Sequence, residues 1–585
     1  MELVYLWVED YKNIHRQGFN FSPRFNCNYD PDNNELTIDK NDDYIENFFG
    51  DNINVTAIVG KNGSGKSNIF EAMLCNLMYN EFVPIDEEIA ILSVYYDRNN
   101  KQYSYKKLHG GLLDIDVNKI NGIDITLEDK LSKKYKLTTE PFTFHYNYSL
   151  DWINNNEHNL DFDKLYHKND DYRTSILLQP NKANRKISLD NIDYLATRDI
   201  LNFTIKNDIK FDFIEEFFVP VSCELKYNIS DISKKDDNVF YEKLEKLSEL
   251  TWEIEHFKTE AYYYILRKTI DKGEKNKYDF IKDESFKTKL LENKLEDNFD
   301  ELITCISQDD FENLYDDSIE YITRKIKETY KFIDYTQGMQ TKPFGFDLIK
   351  GKKQIADDNE LLLNLPPYVQ IEFFDEKDVS LYSLSYGQKF IIKFIYSLLN
   401  QLENLKSHDY RDINLLLDEV EQGLHPEWQK KFLNLLIQVL KEQTNFKFNI
   451  ICATHSPFIL SDIPKQNIYF MKDGKQNAGV KKQTFGANIH TLLSDSFFME
   501  DGLMGEFAKK KINEIIDFLN DKKKIEDIST KKEQIEQVIE SIGEPFLKSK
   551  LLDMYNRKFI YEYKIREEKR IDEQIRILQE KRENL

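Results

Sequence analysis

INVTAIV at residues 53–59 runs straight into GKNGSGKSN at residues 60–68. The first segment is apolar and β-branched, as a buried strand is, and it stops at a glycine-rich turn. An amphipathic helix is predicted to follow over Ser67–Met78. Gly60-Lys-Asn-Gly-Ser-Gly65-Lys66-Ser67 therefore fits GxxxxGK[ST] in the setting that the motif needs, after a strand and before a helix. Glycines let the backbone curl so that its N–H groups face a phosphate, and the helix N-terminus adds partial positive charge. Gly60, Asn62, Gly63, Ser64, Gly65 and Asn68 are the expected contacts of this loop. Lys66 is expected to reach the β- and γ-phosphates of a nucleotide, and the Ser67 hydroxyl to help hold Mg²⁺.

Two further short apolar runs, INLLLDE (413–419) and FNIICAT (448–454), read as parallel strands buried on both faces. The first ends in adjacent carboxylates, whose side chains alternate in direction and so suit two roles. Asp418 is expected to face the metal, and Glu419 a water near the γ-phosphate. Ahead of them lies Leu384-Ser385-Tyr386-Gly387-Gln388-Lys389, at the start of a strongly apolar helix predicted over 389–404. Ser385, the Gly387 amide and the helix dipole can together bind an anion. Beyond them, His455 in Ala453-Thr454-His455-Ser456-Pro457 follows the third apolar run.

Taken in order, these segments resemble the ABC-type ATPase superfamily, which includes transporter motors and the SMC, RecF and OLD-like ATPases. LSYGQ at 384–388 resembles that family's LSGGQ signature, with Tyr386 in place of the first glycine, which stiffens the loop. The resemblance implies ATP and Mg²⁺ as ligands, with Lys66, Glu419 and His455 as the catalytic set and His455 as the switch histidine. It implies that Ser385, Gly387 and Gln388 touch ATP held by the opposite protomer, so that two ATPs lie in a head-to-tail dimer. Gln179, in Leu177-Leu178-Gln179-Pro180, is the choice for the family's glutamine that senses nucleotide and Mg²⁺, with Gln17 the alternative. The metal set is then Ser67, Asp418 and Gln179. Tyr11-Lys12-Asn13-Ile14 resembles the family's opening strand and would supply side chains over the nucleotide, or is simply a strand end. His425, in GLHP, is expected to shape a loop and is assigned no chemistry.

The fold expected is α/β: a split ABC-type P-loop head with a peripheral antiparallel sheet, a helical insertion and a C-terminal helical extension. Its parts are residues 1–200 and 346–495 for the two lobes of the head, 201–345 for the insertion and 496–585 for the extension. ILSVYY (91–96), FTFHYNY (142–148) and SILL (175–178) suggest the peripheral sheet. YEKLEKLSELTWEIEHF and IEYITRKIKETYKFI suggest a compact helical subdomain, since heptads are not sustained. At the end of the chain, Ile571, Ile575 and Leu578 fall near one face of a long charged helix that could dock a partner or another protomer.

Composition bounds the rest. The chain has 585 residues, enough for several domains, and a net charge of −23, which disfavours wrapping DNA over the whole surface. Five scattered cysteines without a CxxC, and ten histidines without an HExxH, predict neither a disulfide framework nor a structural metal. No run of about 18 apolar residues occurs, so no membrane span is expected. Acidic residues in MELVYLWVEDYKNI argue against a secretory signal, and a cytoplasmic protein is expected.

The extension is too short and too helical for the Toprim nuclease domain of OLD-type enzymes. The layout, including QTFGANIHTLLSDSFFMEDGLMGEFAKKKI, resembles the ATPase subunits of bacterial anti-phage defence systems of the Septu type, also found beside retrons. That resemblance implies a separate HNH nuclease partner, with nucleic acid met through that partner. The alternative is a DNA-repair or chromosome-associated clamp ATPase that grips DNA directly, through Lys130, Lys133, Lys134, Lys136 and the run Lys509 to Lys511.

Overall fold

A computed structural model describes residues 2–78, 90–98, 101–109, 119–122, 141–147, 176–177, 189–206, 217–227, 254–276, 278–292, 295–309, 311–316, 326–327, 329–334, 353–355, 362–363, 365–366, 369–408, 410–476, 482–495, 504–520 and 528–583. The chain divides into two compact units, Met1–Phe498 and Met499–Leu585.

At the centre of the first unit is a seven-stranded sheet. Its order is Ile176–Leu177, Phe142–Asn147, Asp412–Asp418, Lys447–Ala453, Ile53–Gly60, Ile468–Lys472 and Lys475–Gln476. All neighbours are parallel except the last pair, a hairpin. Val55, Ala57, Leu415, Leu417 and Ile450 pack into one core, and Ile58, Leu416 and Ile451 into another. Burial on both faces is what a parallel sheet covered by helices requires. The carboxylate strand does not touch the P-loop strand; Lys447–Ala453 lies between them, pairing Ala453 with both Asp418 and Ile58. The carboxyl ends of the three strands are thus in register at one edge, where open α/β sheets place their ligands.

One row of the sheet is polar. Asn54, Asn449, Asn414 and Thr143 are register partners on four successive strands, and all are buried. The Asn54 amide donates to Asn449 Oδ1 at 2.8 Å, and the Asn414 amide to Thr143 Oγ1 at 3.4 Å. Bonds between side chains level with one another penalise any slip of register.

FTFHYN and IL correct the sequence reading. Phe142–Asn147 and Ile176–Leu177 belong to the central parallel sheet, beside the carboxylate strand, rather than to a peripheral antiparallel one. Alternation of aromatic and polar residues suggests one wet face, yet Thr143 and His145 are as buried as Phe142 and Phe144. His145 meets the edge of Phe70 from the P-loop helix at 6.0 Å, so a helix covers the face that the alternation assigns to solvent.

The peripheral antiparallel sheet has the order Ile14–Asn20, Glu2–Tyr11, Ala90–Asp97, Gln102–His109. Leu6, Val8, Phe19 and Ile91 join Ile69, Phe70, Met73 and Leu74 of the P-loop helix Lys66–Met78 in one core. Val4, Tyr5, Trp7 and Leu92 join Phe25, Tyr29 and Leu36 from the small sheet formed by Phe25–Asp30, Glu35–Lys40 and Lys119–Gly122.

Between the lobes the described elements are largely helical: Ile254–Asn276, Glu284–Leu291 and Leu295–Gln308, packed through Tyr264, Phe280, Phe286, Phe299 and Tyr315. Asp283 caps the second of these by accepting from Phe286 N–H at 2.6 Å. The stretch is not wholly helical, because Ser222–Tyr227 is a strand paired with Val369–Phe374. Residues 241–253 and 317–325, the larger part of the two helical segments expected there, lie outside the described residues.

The second unit contains helices Glu506–Leu519, Ile528–Glu540 and Pro545–Glu583 around Ile512, Ile515, Phe518, Ile539, Leu551, Tyr555 and Phe559. Ile571, Ile575 and Leu578 are exposed. Among the described residues, no helix is long and apolar enough to cross a membrane.

Candidate functional site

The loop after Ile53–Gly60 owes its shape to glycine. Gly63 and Gly65 have φ of +77° and +100°, a region that L side chains rarely adopt. At Gly60, a Cβ would lie 2.4 Å from Ser64 Oγ and 2.6 Å from the Met471 carbonyl. The bond from Ile69 N–H to the Gly65 carbonyl, at 3.1 Å, opens the helix. Two outside elements hold the loop. Asn13 Nδ2 donates to the Gly63 carbonyl at 2.9 Å while its Oδ1 accepts from Asn68 Nδ2 at 2.8 Å, and Gly474 N–H donates to the Ser64 carbonyl at 3.0 Å. Asn13 therefore sits against the loop itself, an outcome more specific than a strand end. The Ser64 hydroxyl is buried with no hydrogen-bond partner among the described residues, inside a loop built around glycine turns.

Lys66 is 5% exposed, with Nζ 3.3 Å from the Gly60 carbonyl and 2.7 Å from His455 Nε2. Burial lowers its pKa, while Glu419, Asp418 and Glu421 oppose that shift. His455 Nε2 is also 3.2 Å from Glu419 Oε1. One imidazole nitrogen thus lies between an ammonium and a carboxylate. A neutral ring can accept from Lys66 there or donate to Glu419, but not both.

The two carboxylates lie in different surroundings, Asp418 ending the strand and Glu419 in a left-handed conformation just past it. Asp418 is 2% exposed, and burial pushes its pKa up to about 7 against a hydrogen bond from the Ser67 side chain. Glu419 is half-buried and has φ +51°, with its N–H bonded to the Ala453 carbonyl at 2.9 Å. The hydrogen bond with His455 holds its carboxyl below the usual range, and the Gln422 side chain bonds its other oxygen.

Ser385 begins the helix Tyr386–Leu405 with a capping box. Its hydroxyl donates to Gln388 Oε1 at 2.7 Å, and Gln388 N–H donates back to Ser385 Oγ at 3.4 Å. Ser385 and Gln388 thus bond to each other, not to the Gly60–Ser67 loop. Tyr386 is 65% exposed at this helix start. Gly387 is buried against the loop that follows the carboxylates; a Cβ there would lie 3.4 Å from Leu424 Cδ2. His425 caps the helix Pro426–Lys441 by accepting from Glu427 N–H at 3.3 Å.

Gln179 lies outside the described residues. Gln17 is occupied elsewhere, donating to the Gly18 carbonyl at 2.9 Å and facing Tyr469. Among the described residues no group of three or more His, Cys, Asp or Glu side chains is placed to hold a metal. A Mg²⁺ site of the nucleotide type needs few protein ligands, since phosphates and water supply the rest, and the bonded Ser67–Asp418 pair fits that donor set. Glu421, which the sequence reading passed over, is buried beside these groups and bonds the segment that carries His455. An acid two residues before Gly423, in the loop after the strand, gives little local sign of such a role.

A glycine-lined phosphate loop on a parallel sheet, with paired carboxylates one strand removed, defines a P-loop ATPase of the α/β class. A family model described as an AAA ATPase domain matches residues 32–460, and the chain belongs to that family. Among curated proteins, the chain is similar to the retron Ec83 probable ATPase of Escherichia coli, 32% identical over 108 residues, 17% of this chain and 19% of that protein. It is similar to the retron Vc95 probable ATPase of Vibrio cholerae serotype O1 biovar El Tor, 24% identical over 21% of this chain and 24% of that protein. It is also similar to the Septu protein PtuA of Bacillus thuringiensis, 34% identical over 13% of this chain and 20% of that protein. The chain thus spans about a fifth of the length of these relatives. Among solved structures, an SMC head bound to the C-winged helix domain of ScpA aligns with 82% of this chain and 96% of that chain, at 12% identity and a TM-score of 0.22. The recombination mediator RecF with ATP analogue aligns with 81% and 97%, at 15% identity and a TM-score of 0.24.

Proposed function

We propose that this protein is an ABC-type ATPase that binds and hydrolyses Mg²⁺·ATP between two head-to-tail protomers, and that its nucleotide state regulates a separate HNH nuclease in anti-phage defence. The observation that carries the ATPase part is the convergence of Lys66, Asp418, Glu419 and His455 at the carboxyl ends of three adjacent strands, with His455 2.7 Å from Lys66 and 3.2 Å from Glu419.

The residues divide the work as follows. Backbone N–H groups of Gly63 to Ser67, with the Ser64 hydroxyl, receive the phosphates. Ser67 and Asp418 would hold Mg²⁺, which would supply charge neutralisation for the phosphates. Lys66 leaves the Gly60 carbonyl and His455 for phosphate oxygens, a stronger, charge-assisted contact. His455 would then donate to the γ-phosphate or to Glu419. Glu419, kept ionised by its neighbours, orients the attacking water and accepts its proton.

The head-to-tail pairing is supported by the signature helix, whose start is exposed at Tyr386 and whose capping side chains bond to each other rather than to the phosphate loop of their own chain. The defence role is supported by the retron and Septu relatives and by the resemblance of the whole layout. Direct DNA gripping has less support. Lys509 pairs with Glu506 at 3.7 Å and Lys511 with Glu514 at 3.3 Å, and residues 130–136 lie outside the described part.

Affinity purification of the protein expressed with its neighbouring genes, followed by native mass determination with and without ATP, tests the assignment. An HNH nuclease in a defined complex is the expected result; a nuclease-free dimer would overturn the partner. Removal of residues 568–585, exposed from Glu568 to Glu580 and beyond the core residue Phe559, should release that nuclease while sparing ATP binding. Retained association would exclude docking by this part of the helix.

A further inference from the structure

Glu421 has no part in the chemistry above, yet it is 3% exposed in the loop that joins the carboxylate strand to the helix Pro426–Lys441. The left-handed turn at Glu419 sends the chain across the end of the neighbouring strand. Glu421 Oε1 there accepts the Thr454 hydroxyl at 2.5 Å and the His455 backbone N–H at 3.0 Å. Thr454 is fully buried, and its hydroxyl oxygen in turn accepts Ser456 N–H at 2.9 Å. The second carboxylate oxygen, Oε2, is buried with no hydrogen-bond partner among the described residues.

Burying a carboxylate with half its acceptor capacity unused is costly, so ordinary packing does not explain it. What the costly group does is specific. Its two donors lie on consecutive residues, one of them the peptide that carries the switch imidazole. That bracket fixes where the His455 ring leaves the backbone, and hence its reach of 2.7 Å to Lys66 and 3.2 Å to Glu419. The other bonds of the Thr454–Ser456 segment, from Thr454 N–H to the Ile58 carbonyl at 3.1 Å, within its own turn, from the Ser456 hydroxyl to Gln429 Oε1 at 2.8 Å and from Leu460 N–H to the Ser456 carbonyl at 3.2 Å, hold the residues on either side of His455 and not its own N–H.

We infer that Glu421 is a positioning residue for ATP hydrolysis, holding the His455 backbone so that the imidazole stands between Lys66 and Glu419. The inference rests on the reading of this site as an ATPase in which His455 serves the γ-phosphate. Glu421 does not touch the nucleotide, so its loss should slow turnover without weakening binding.

The test uses the full chain, with steady-state ATPase rates and binding of a fluorescent ATP analogue. Glu421→Ala is expected to lower kcat by about tenfold or more, with analogue affinity within about threefold of the parent. Glu421→Gln keeps the acceptor oxygen and should recover most of the rate. The double variant Glu421→Ala/His455→Ala should be no slower than His455→Ala alone, because both changes remove the action of one imidazole. A Glu421→Ala rate within about twofold of the parent, a Gln variant as slow as Ala, or losses that multiply in the double variant would each overturn the inference. Should Glu421→Ala fail to fold, Thr454→Val removes one of the two donors and is read against His455→Ala in the same way. If Lys66→Ala and His455→Ala both hydrolyse ATP at the parental rate, the ATPase reading of the site fails. If they are impaired and Glu421→Ala is not, only the positioning role fails.

Discussion

At the scale of single residues, His455 Nε2 is the centre of the proposed response to nucleotide. It lies between a cation and an anion, so a phosphate arriving in the loop would compete with it for Lys66. Glu419→Gln removes the proposed base while leaving the loop intact, so ATP binding should persist while hydrolysis falls by roughly 100-fold or more; Lys66→Ala should instead weaken binding itself. Equal rates in parent and both variants, measured by phosphate release, would refute these assignments. Asn13 acts on the loop from below. Its amide holds the Gly63 carbonyl and Asn68 side chain. Asn13→Ala should raise the KM for ATP by about threefold to tenfold with little change in kcat, since the interaction shapes the binding loop before chemistry. An unchanged KM would show that the glycines hold the loop alone.

Pairs of elements carry their own tests. Helix Leu189–Lys206 meets helix Tyr386–Leu405 through half-buried Asp199, which accepts from Ser397 Oγ at 2.6 Å and Asn400 Nδ2 at 2.8 Å. Burial pushes its pKa up to about 6 in spite of these bonds. A raised acid pKa means that the folded state binds the proton more tightly than the unfolded chain. The resulting stability is complete below the ordinary carboxylate range and is lost as pH rises through about 6. Asp199→Asn should therefore gain stability relative to the parent between pH 4 and 8, by on the order of 1 to 2 kcal/mol in denaturant titrations. A difference that does not change with pH would remove Asp199 from the linkage. In the central sheet, Asn449→Leu strips the polar row of one of its two inner members and leaves the buried Asn54 amide short of its best acceptor. A loss of about 1 to 3 kcal/mol is expected from the midpoint of unfolding, whereas a neutral result would mean that strand packing alone holds the register.

For the whole molecule, the decisive property is a helix start and a phosphate loop that do not complete each other through Ser385 and Gln388 within one chain. Light scattering of the Glu419→Gln protein should give a dimer with Mg²⁺·ATP and a monomer with ADP, because the γ-phosphate supplies contacts that ADP lacks. Adding Ser385→Arg should abolish the dimer while leaving analogue binding within about threefold of the parent. A dimer that ignores nucleotide would point to the helical unit Met499–Leu585 as the self-association surface.

The sequence by itself determined the parts whose chemistry is local. A glycine loop between strand and helix, carboxylates at the end of an apolar run, and a Ser-Tyr-Gly-Gln helix start all follow from backbone conformation and short-range hydrogen bonding, and those motifs stand on the predicted elements. Tertiary structure decided the rest because each remaining point depends on which strands lie side by side. The aromatic alternation in Phe142–Asn147 looked half-solvated until the P-loop helix covered its second face with Phe70. Only strand order could bring His455 within reach of Lys66, and only the left-handed turn at Glu419 could carry Glu421 to the Thr454 hydroxyl. Hydrophobic periodicity records how much of a strand is buried but not what buries it, and contacts between residues hundreds of positions apart leave no mark on the local pattern.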